Sequence, residues 1–214
     1  MSRVVRPETN TVPPLRLDRQ DFLAVALIAD AAHYVLHRLF HSRALFWVHK
    51  SHHKSIKTVV CSNAMDNDPL DLILVVELPV ALASWIGGRS LVTQVVVLSS
   101  IGLWGVFIHQ STFGNHMDHH KQPNRSFAPI FPWLDLMLGT TASQYSGRAK
   151  AAVMLTLALA VLFLAMPLIV DPEIASWSAI PFSLLITASF ITASTVLEVE
   201  RGVATSARKL THTQ

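Results

Sequence analysis

The amino-acid sequence predicts an all-α integral membrane protein with four to five transmembrane helices and a histidine-rich cap on the cytoplasmic side. Three observations carry that expectation. Of 214 residues, 51% are hydrophobic and only 14% charged, too apolar for an ordinary soluble domain. Four apolar runs, Pro69 to Ile86, Leu91 to Ile108, Ala151 to Val170 and Ala179 to Leu197, reach or approach the roughly 20 residues that cross a bilayer as helix. Basic residues gather in two of the connections, Arg38, Arg43, Lys50, Lys54 and Lys57 in one and Lys121, Arg125, Arg148 and Lys150 in the other, which the positive-inside rule places in the cytoplasm.

Taken in chain order, residues 1–20 are polar, contain Pro13 and Pro14, and read as a flexible tail. A membrane-embedded domain over residues 21–200 follows, then a second tail over 201–214. The domain opens on a shorter run, Phe22 to Leu36, interrupted by Asp30 and His33. If that run spans the bilayer, Arg3, Arg6, Arg16 and Arg19 lie outside, against the charge rule. The remaining runs form two hairpins, turning at Gly87 and Gly88 and at Asp171 and Pro172. No apolar stretch directly follows a basic start, so a cleavable signal peptide is not expected, and the membrane is a bacterial inner membrane or the endoplasmic reticulum. A net charge of +3 with scattered basic residues excludes nucleic acid as a partner. The single cysteine, Cys61, excludes an internal disulfide and any cysteine-based metal cluster.

The chemistry-bearing pattern is histidine. Ten of eleven histidines fall between His33 and His120, in the groups His37-x3-His41, His49-x2-His52-His53 and His116-x2-His119-His120. Residues three and four apart share a helix face, so each group can aim several imidazoles at one point. Eight such ligands exceed what one ion uses, since zinc takes four and octahedral iron six, so two metals are implied. His109, at the end of an apolar run, is a further candidate ligand, and so is His33. Asp30, His33, His37 and His41 fall within about 80° on a helical wheel. A carboxylate inside an apolar run needs a partner, and Asp30 is expected to accept a proton from a ligand imidazole and fix its tautomer. There is no H-E-x-x-H, E-x-x-H, G-x-S-x-G or glycine-rich phosphate loop. For redox chemistry with dioxygen, iron suits an imidazole-rich site with open positions, and zinc can replace it after purification because of its higher intrinsic affinity.

Three stretches carry a resemblance. Asp30-Ala-Ala-His33-Tyr34-Val-Leu-His37-Arg38-Leu-Phe-His41, Trp47-Val-His49-Lys-Ser-His52-His53 and His116-Met-Asp-His119-His120 resemble the three histidine boxes of the fatty acid hydroxylase and sterol desaturase superfamily. Asp135-Leu-Met-Leu138-Gly139-Thr140 is similar to that family's closing motif. The resemblance implies membrane helices under a cytoplasmic cap, a di-iron centre, dioxygen as cosubstrate and a separate protein supplying two electrons. Position by position it makes His37, His41, His49, His52, His53, His116, His119 and His120 the ligands. The spacing from His109 to His116 is short for a sterol-type member and Trp133 is one residue out of register, which bears on the substrate subclass rather than on the metals.

The expected function is therefore oxidation of a lipid-like substrate, by hydroxylation or desaturation, with Phe127, Phe131 and Trp133 as candidates for the lipid entrance. The chain has no flavin or nicotinamide fingerprint, so the donor is a ferredoxin or a cytochrome b5 type protein, steered to Lys50, Lys54, Lys57, Lys121 and Arg125. The competing reading is a membrane transporter or binding protein for zinc or iron. Transport sites sit near the bilayer midplane on broken helices, whereas these histidines cluster in the connections. A membrane zinc hydrolase lacks the glutamate base beside its ligands.

Overall fold

A computed structural model of the chain describes residues 19–55, 68–87, 91–109, 114–169 and 183–197, with positions 181, 199, 200 and 203. Most of the predicted tails, Lys57, Cys61, Gly88, Asp171 and Pro172 lie outside the described residues. Among those described, all regular structure is helical. The elements are α1 (Arg19–Phe40), α2 (Phe46–His49) with a 3-10 turn at His52–Ser55, α3 (Pro69–Ile86), α4 (Leu91–Ile108), α5 (Gly114–Lys121), α6 (Trp133–Leu138), α7 (Gly147–Ile169) and α8 (Ser183–Leu197).

Among the described residues, three helices are long and apolar enough to cross a membrane: Asp21–Phe40 of α1, α3, and Gly147–Met166 of α7. Leu91–Gly105 of α4 and the whole of α8 are shorter apolar helices. The interrupted first run thus belongs to a helix of full length. Its polar residues do not break it because Asp30 is buried on the inner face.

α1 is central and packs against α3, α4 and α7. Val25 and Ala29 of α1 meet Val80 and Ala83 of α3 and Val97 of α4, with alanines letting the backbones approach closely. A second core joins α7 and α8 through Ala149, Val153, Ala193 and Leu197, closed by Phe131 and Tyr145.

α3 begins at a cap: the Asp68 side chain accepts from the Leu70 N–H, and Pro69 occupies the first turn, where its missing N–H costs nothing. The stretch Leu72–Glu77 is wound as π-helix. Both Asp71 and Val80 are buried, yet nine residues apart on a straight α-helix they would face about 180° apart. A π-turn takes up an extra residue, which swings both to the inner side. This winding aims Asp71 at the histidines while Val80 stays in the helix core.

The connection from α5 to α6 is held by Asp135. Its carboxylate accepts from the Phe127 N–H at 3.0 Å, the Ala128 N–H at 2.8 Å and the Thr140 hydroxyl at 2.6 Å. Gly139 ends α6 at φ 68°, a conformation that favours glycine. Ser126 also has positive φ, 56°, which costs energy for a residue with a Cβ. Its N–H donates to the Thr140 carbonyl at 2.7 Å, and its hydroxyl accepts from the Ala142 N–H at 2.9 Å.

Candidate metal centre

Nine histidines converge beneath that connection in two groups. His37, His41, His49, His53 and His119 form the first, and His52, His109, His116 and His120 the second; within each, one ring nitrogen per residue lies within 4.8 Å of all the others. The groups abut, with the His49 and His52 rings stacked at 5.0 Å and the His53 and His120 rings tilted against each other at 4.8 Å. His109, proposed from its place at a helix end, joins the second group. His33 lies outside both, its ring 5.2 Å from that of His37.

Each H-x-x-H-H string is divided between the two groups. His49 and His53 serve the first group and His52 the second, while His116 and His120 serve the second and His119 the first. On α5, His120 sits about 40° round the helix from His116 and His119 about 60° the other way, so they straddle the seam between the groups; the other string makes the same division across the end of α2 and the 3-10 turn that follows. Sequence spacing alone suggested one convergence point per string.

Four imidazoles are oriented by fixed acceptors. The Nδ1–H groups of His37, His119 and His109 donate to the carbonyls of Phe127 (2.9 Å), Arg125 (2.7 Å) and Gly105 (2.6 Å). His49 Nδ1 donates to the Asp71 carboxylate at 2.7 Å. In each ring the proton is committed on one side, leaving the Nε2 lone pair facing the group. The strained Ser126 stands between the two carbonyls that orient His119 and His37, so its conformation serves the ligands directly.

The lone pairs point at one another. His116 Nε2 is 2.9 Å from His109 Nε2, 3.1 Å from His120 Nε2 and 3.2 Å from His52 Nε2. One proton can bridge only one such pair. In the first group His119 Nε2 is 3.3 Å from His53 Nε2, and the Nε2 atoms of His37, His41 and His49 are buried without a hydrogen-bond partner. A cation about 2.1 Å from each nitrogen sets neighbouring ligands about 3.0–3.4 Å apart, in octahedral or tetrahedral geometry. The donor sets therefore fit one metal ion each.

Burial, reinforced by neighbouring imidazoles, lowers the affinity of these rings for protons. His41 and His49 fall from 6.5 to about 3, His53 and His120 to about 2, and His116 and His119 well below the ordinary value. Neutral imidazole is the ligating form. Released histidines bind protons below about pH 6.5 and the folded ones only near 2–3, so stability present above pH 6.5 is lost as pH falls through that window. Metal content after dialysis against a chelator is accordingly expected to fall steadily from pH 7.5 to pH 4; retention unchanged at pH 4 contradicts this.

One expectation is corrected. Asp30 does not accept from a ligand imidazole: its oxygens take the Ile130 N–H at 3.1 Å and the Trp133 indole N–H at 2.8 Å, so it anchors the connection before α6. The carboxylate on an imidazole is Asp71, which sequence reasoning passed over although an acid inside an apolar run was the signal used for Asp30. Phe127, Phe131 and Trp133 are packed within the fold, and Phe131 also lines a small cavity with residues of α1, α7 and α8. Phe127 is buried with its ring 5.6 Å from those of His41 and His119, Phe131 belongs to the α7–α8 core, and Trp133 is held by Asp30.

Comparison with known proteins agrees with this geometry. Two very-long-chain aldehyde decarbonylases GL1-9, from Oryza sativa subsp. indica and subsp. japonica, are each 29% identical over 147 residues, covering 60% of this chain and 57% of theirs. The chain thus spans little more than half the length of these relatives. No solved structure matches. The fatty acid hydroxylase family matches residues 22–140, a stretch that contains all nine converging histidines, Asp71 and Asp135, and the chain belongs to that family.

Proposed function

We propose that this protein is a membrane-bound di-iron oxidoreductase that uses dioxygen and two external electrons to hydroxylate or desaturate a C–H bond of a lipid-like substrate, such as a fatty acyl chain or a sterol. The observation that carries the reading is the pair of abutting imidazole groups, five and four nitrogens strong, in which four of the nine rings have their proton-bearing sides tied to carbonyls and a carboxylate. Family membership and the decarbonylase relatives support a lipid-modifying role. Two irons, when bound, supply the electron-transfer chemistry that oxidises an unactivated C–H bond with dioxygen.

The chain's own share is positioning. His37, His41, His49, His53 and His119 hold one ion, and His52, His109, His116 and His120 the other. Five ligands against four leave the second group more room for an exogenous partner. Four imidazoles locked from behind suit a resident cofactor, whereas a transporter must release its ion. The basic residues Arg38, Arg43, Lys50, Lys54, Lys121 and Arg125 are exposed, which supports reading the histidine end as cytoplasmic and its basic surface as the approach of an acidic ferredoxin or cytochrome b5 type donor.

Iron-loaded full-length protein in lipid nanodiscs is expected to contain close to two irons per chain and to consume dioxygen with a reductant and lipid, placing one labelled oxygen in an alcohol product or producing an alkene. Zinc-loaded protein is expected to be inactive. Active protein with a single metal, or lipid turnover without dioxygen, overturns the reading.

A further inference from the structure

A cavity of about 70 Å³ lies between α1, α3 and α4, directly against the imidazoles. Its floor is formed by His37 and His49 of the first group and His52, His109 and His116 of the second. Its walls are apolar and include Val75 and Val76 of α3 and Ile101, Gly102 and Gly105 of α4. Val76, Ile101 and Gly102 are only partly buried, so the space opens between the two helices. The floor also holds unpartnered groups: His37 and His49 are almost completely buried and their Nε2 atoms have no hydrogen-bond partner.

Gly102 has no local reason to be glycine. It lies inside a helix, where glycine costs about 1 kcal/mol relative to alanine. Its φ is not positive, and a Cβ built there meets no atom within 4 Å. What the missing side chain does provide is space: Gly102, Gly105 and His109 follow one face of α4, so a strip of bare backbone leads toward a ligand of the second group. The cavity is well below the roughly 300 Å³ at which pockets begin to take whole drug-sized molecules, so it admits only something narrow.

We propose that this cavity takes a segment of an unbranched aliphatic chain, entering sideways between α3 and α4, and that Gly102 determines which carbon lies against the metals. This rests on the oxidoreductase reading above. The walls exclude water and hold the chain by dispersion, α3 and α4 limit its lateral play, and a fused ring system is too wide for the gap. A side chain at position 102 pushes the chain away from the floor, and so does a larger one at Val76 on the facing helix.

Gly102→Leu and Val76→Phe are to be compared with the parent protein in nanodiscs, all iron-loaded, using straight-chain and sterol substrates. Metal content and helicity are expected to be unchanged, because neither residue belongs to the histidine groups. Straight-chain turnover is expected to fall about 10-fold or more, with the oxidised position shifted along the chain, and Gly102→Ala to give a smaller shift. Unaltered rate and position in both large variants, with the parent active, overturns the proposal. A binding arm separates this from failure of the redox reading. Cobalt-loaded protein is expected to broaden the NMR signals of a fluorinated straight-chain fatty acid in the parent and not in Gly102→Leu. Equal broadening in both overturns the proposal even if no lipid is oxidised.

Discussion

Replacing His116 with alanine is expected to lower metal content from two ions per chain to about one and to reduce lipid oxidation by well over ~100-fold, beyond the loss typical of residues that only support a ligand. His116 is the hub of the second group, with Nε2 at 2.9–3.2 Å from His109, His120 and His52. Removing it leaves three nitrogens in a group that has four. The first group retains all five of its histidines, so one ion is expected to stay. The helices are expected to remain intact by circular dichroism, because membrane helices satisfy their own backbone hydrogen bonds. Two bound metals in the variant, measured by elemental analysis, would remove His116 from the ligand set.

The second large effect is expected at Asp71. Asp71→Ala leaves the buried His49 Nδ1–H without its acceptor, which costs about 1–3 kcal/mol. At 1.4 kcal/mol per decade that is roughly a 5- to 140-fold loss of affinity at the first group, overlapping the range of 10- to 100-fold typical of groups that orient a ligand. Asp71→Asn retains an acceptor oxygen and is expected to lose less. Asp30→Asn is the informative contrast. Its oxygens serve Ile130 and Trp133, so the variant is expected to destabilise the connection before α6 while the remaining folded protein binds metal nearly as well as the parent. Metal titrations of the three variants decide the matter. Equal affinity losses at Asp30 and Asp71 would show that the direct contact has no special role.

Much of the site was legible because its chemistry is concentrated. The strings around His37, His49 and His116 name eight of the nine converging histidines, and the end of an apolar run points to His109. The apolar runs also correspond to α3, α4, α7 and α8, since the composition of a membrane helix is set by its solvent and not by its neighbours. The acids were harder to place. Asp30 and Asp71 look alike in sequence, each a carboxylate within an apolar stretch. The partner of each comes from a distant element, Trp133 being 103 residues from Asp30 and His49 lying 22 residues from Asp71. Spacing along a single helix cannot choose between them.

What the sequence by itself determined is the kind of protein and the kind of site: apolar helices of membrane length and a set of imidazoles too large for one ion, both consequences of local composition and helical period. The tertiary structure decided how the imidazoles are shared. The division of each H-x-x-H-H string between two groups, the π-winding that turns Asp71 inward, and the Arg125, Phe127 and Gly105 carbonyls that fix three ring orientations all depend on where separate elements meet. Backbone carbonyls have no side-chain signature, and a helix face acquires its meaning only from what packs against it. The histidine inventory can therefore be read along the chain, while the geometry that gathers it into two candidate metal sites exists only in the folded bundle.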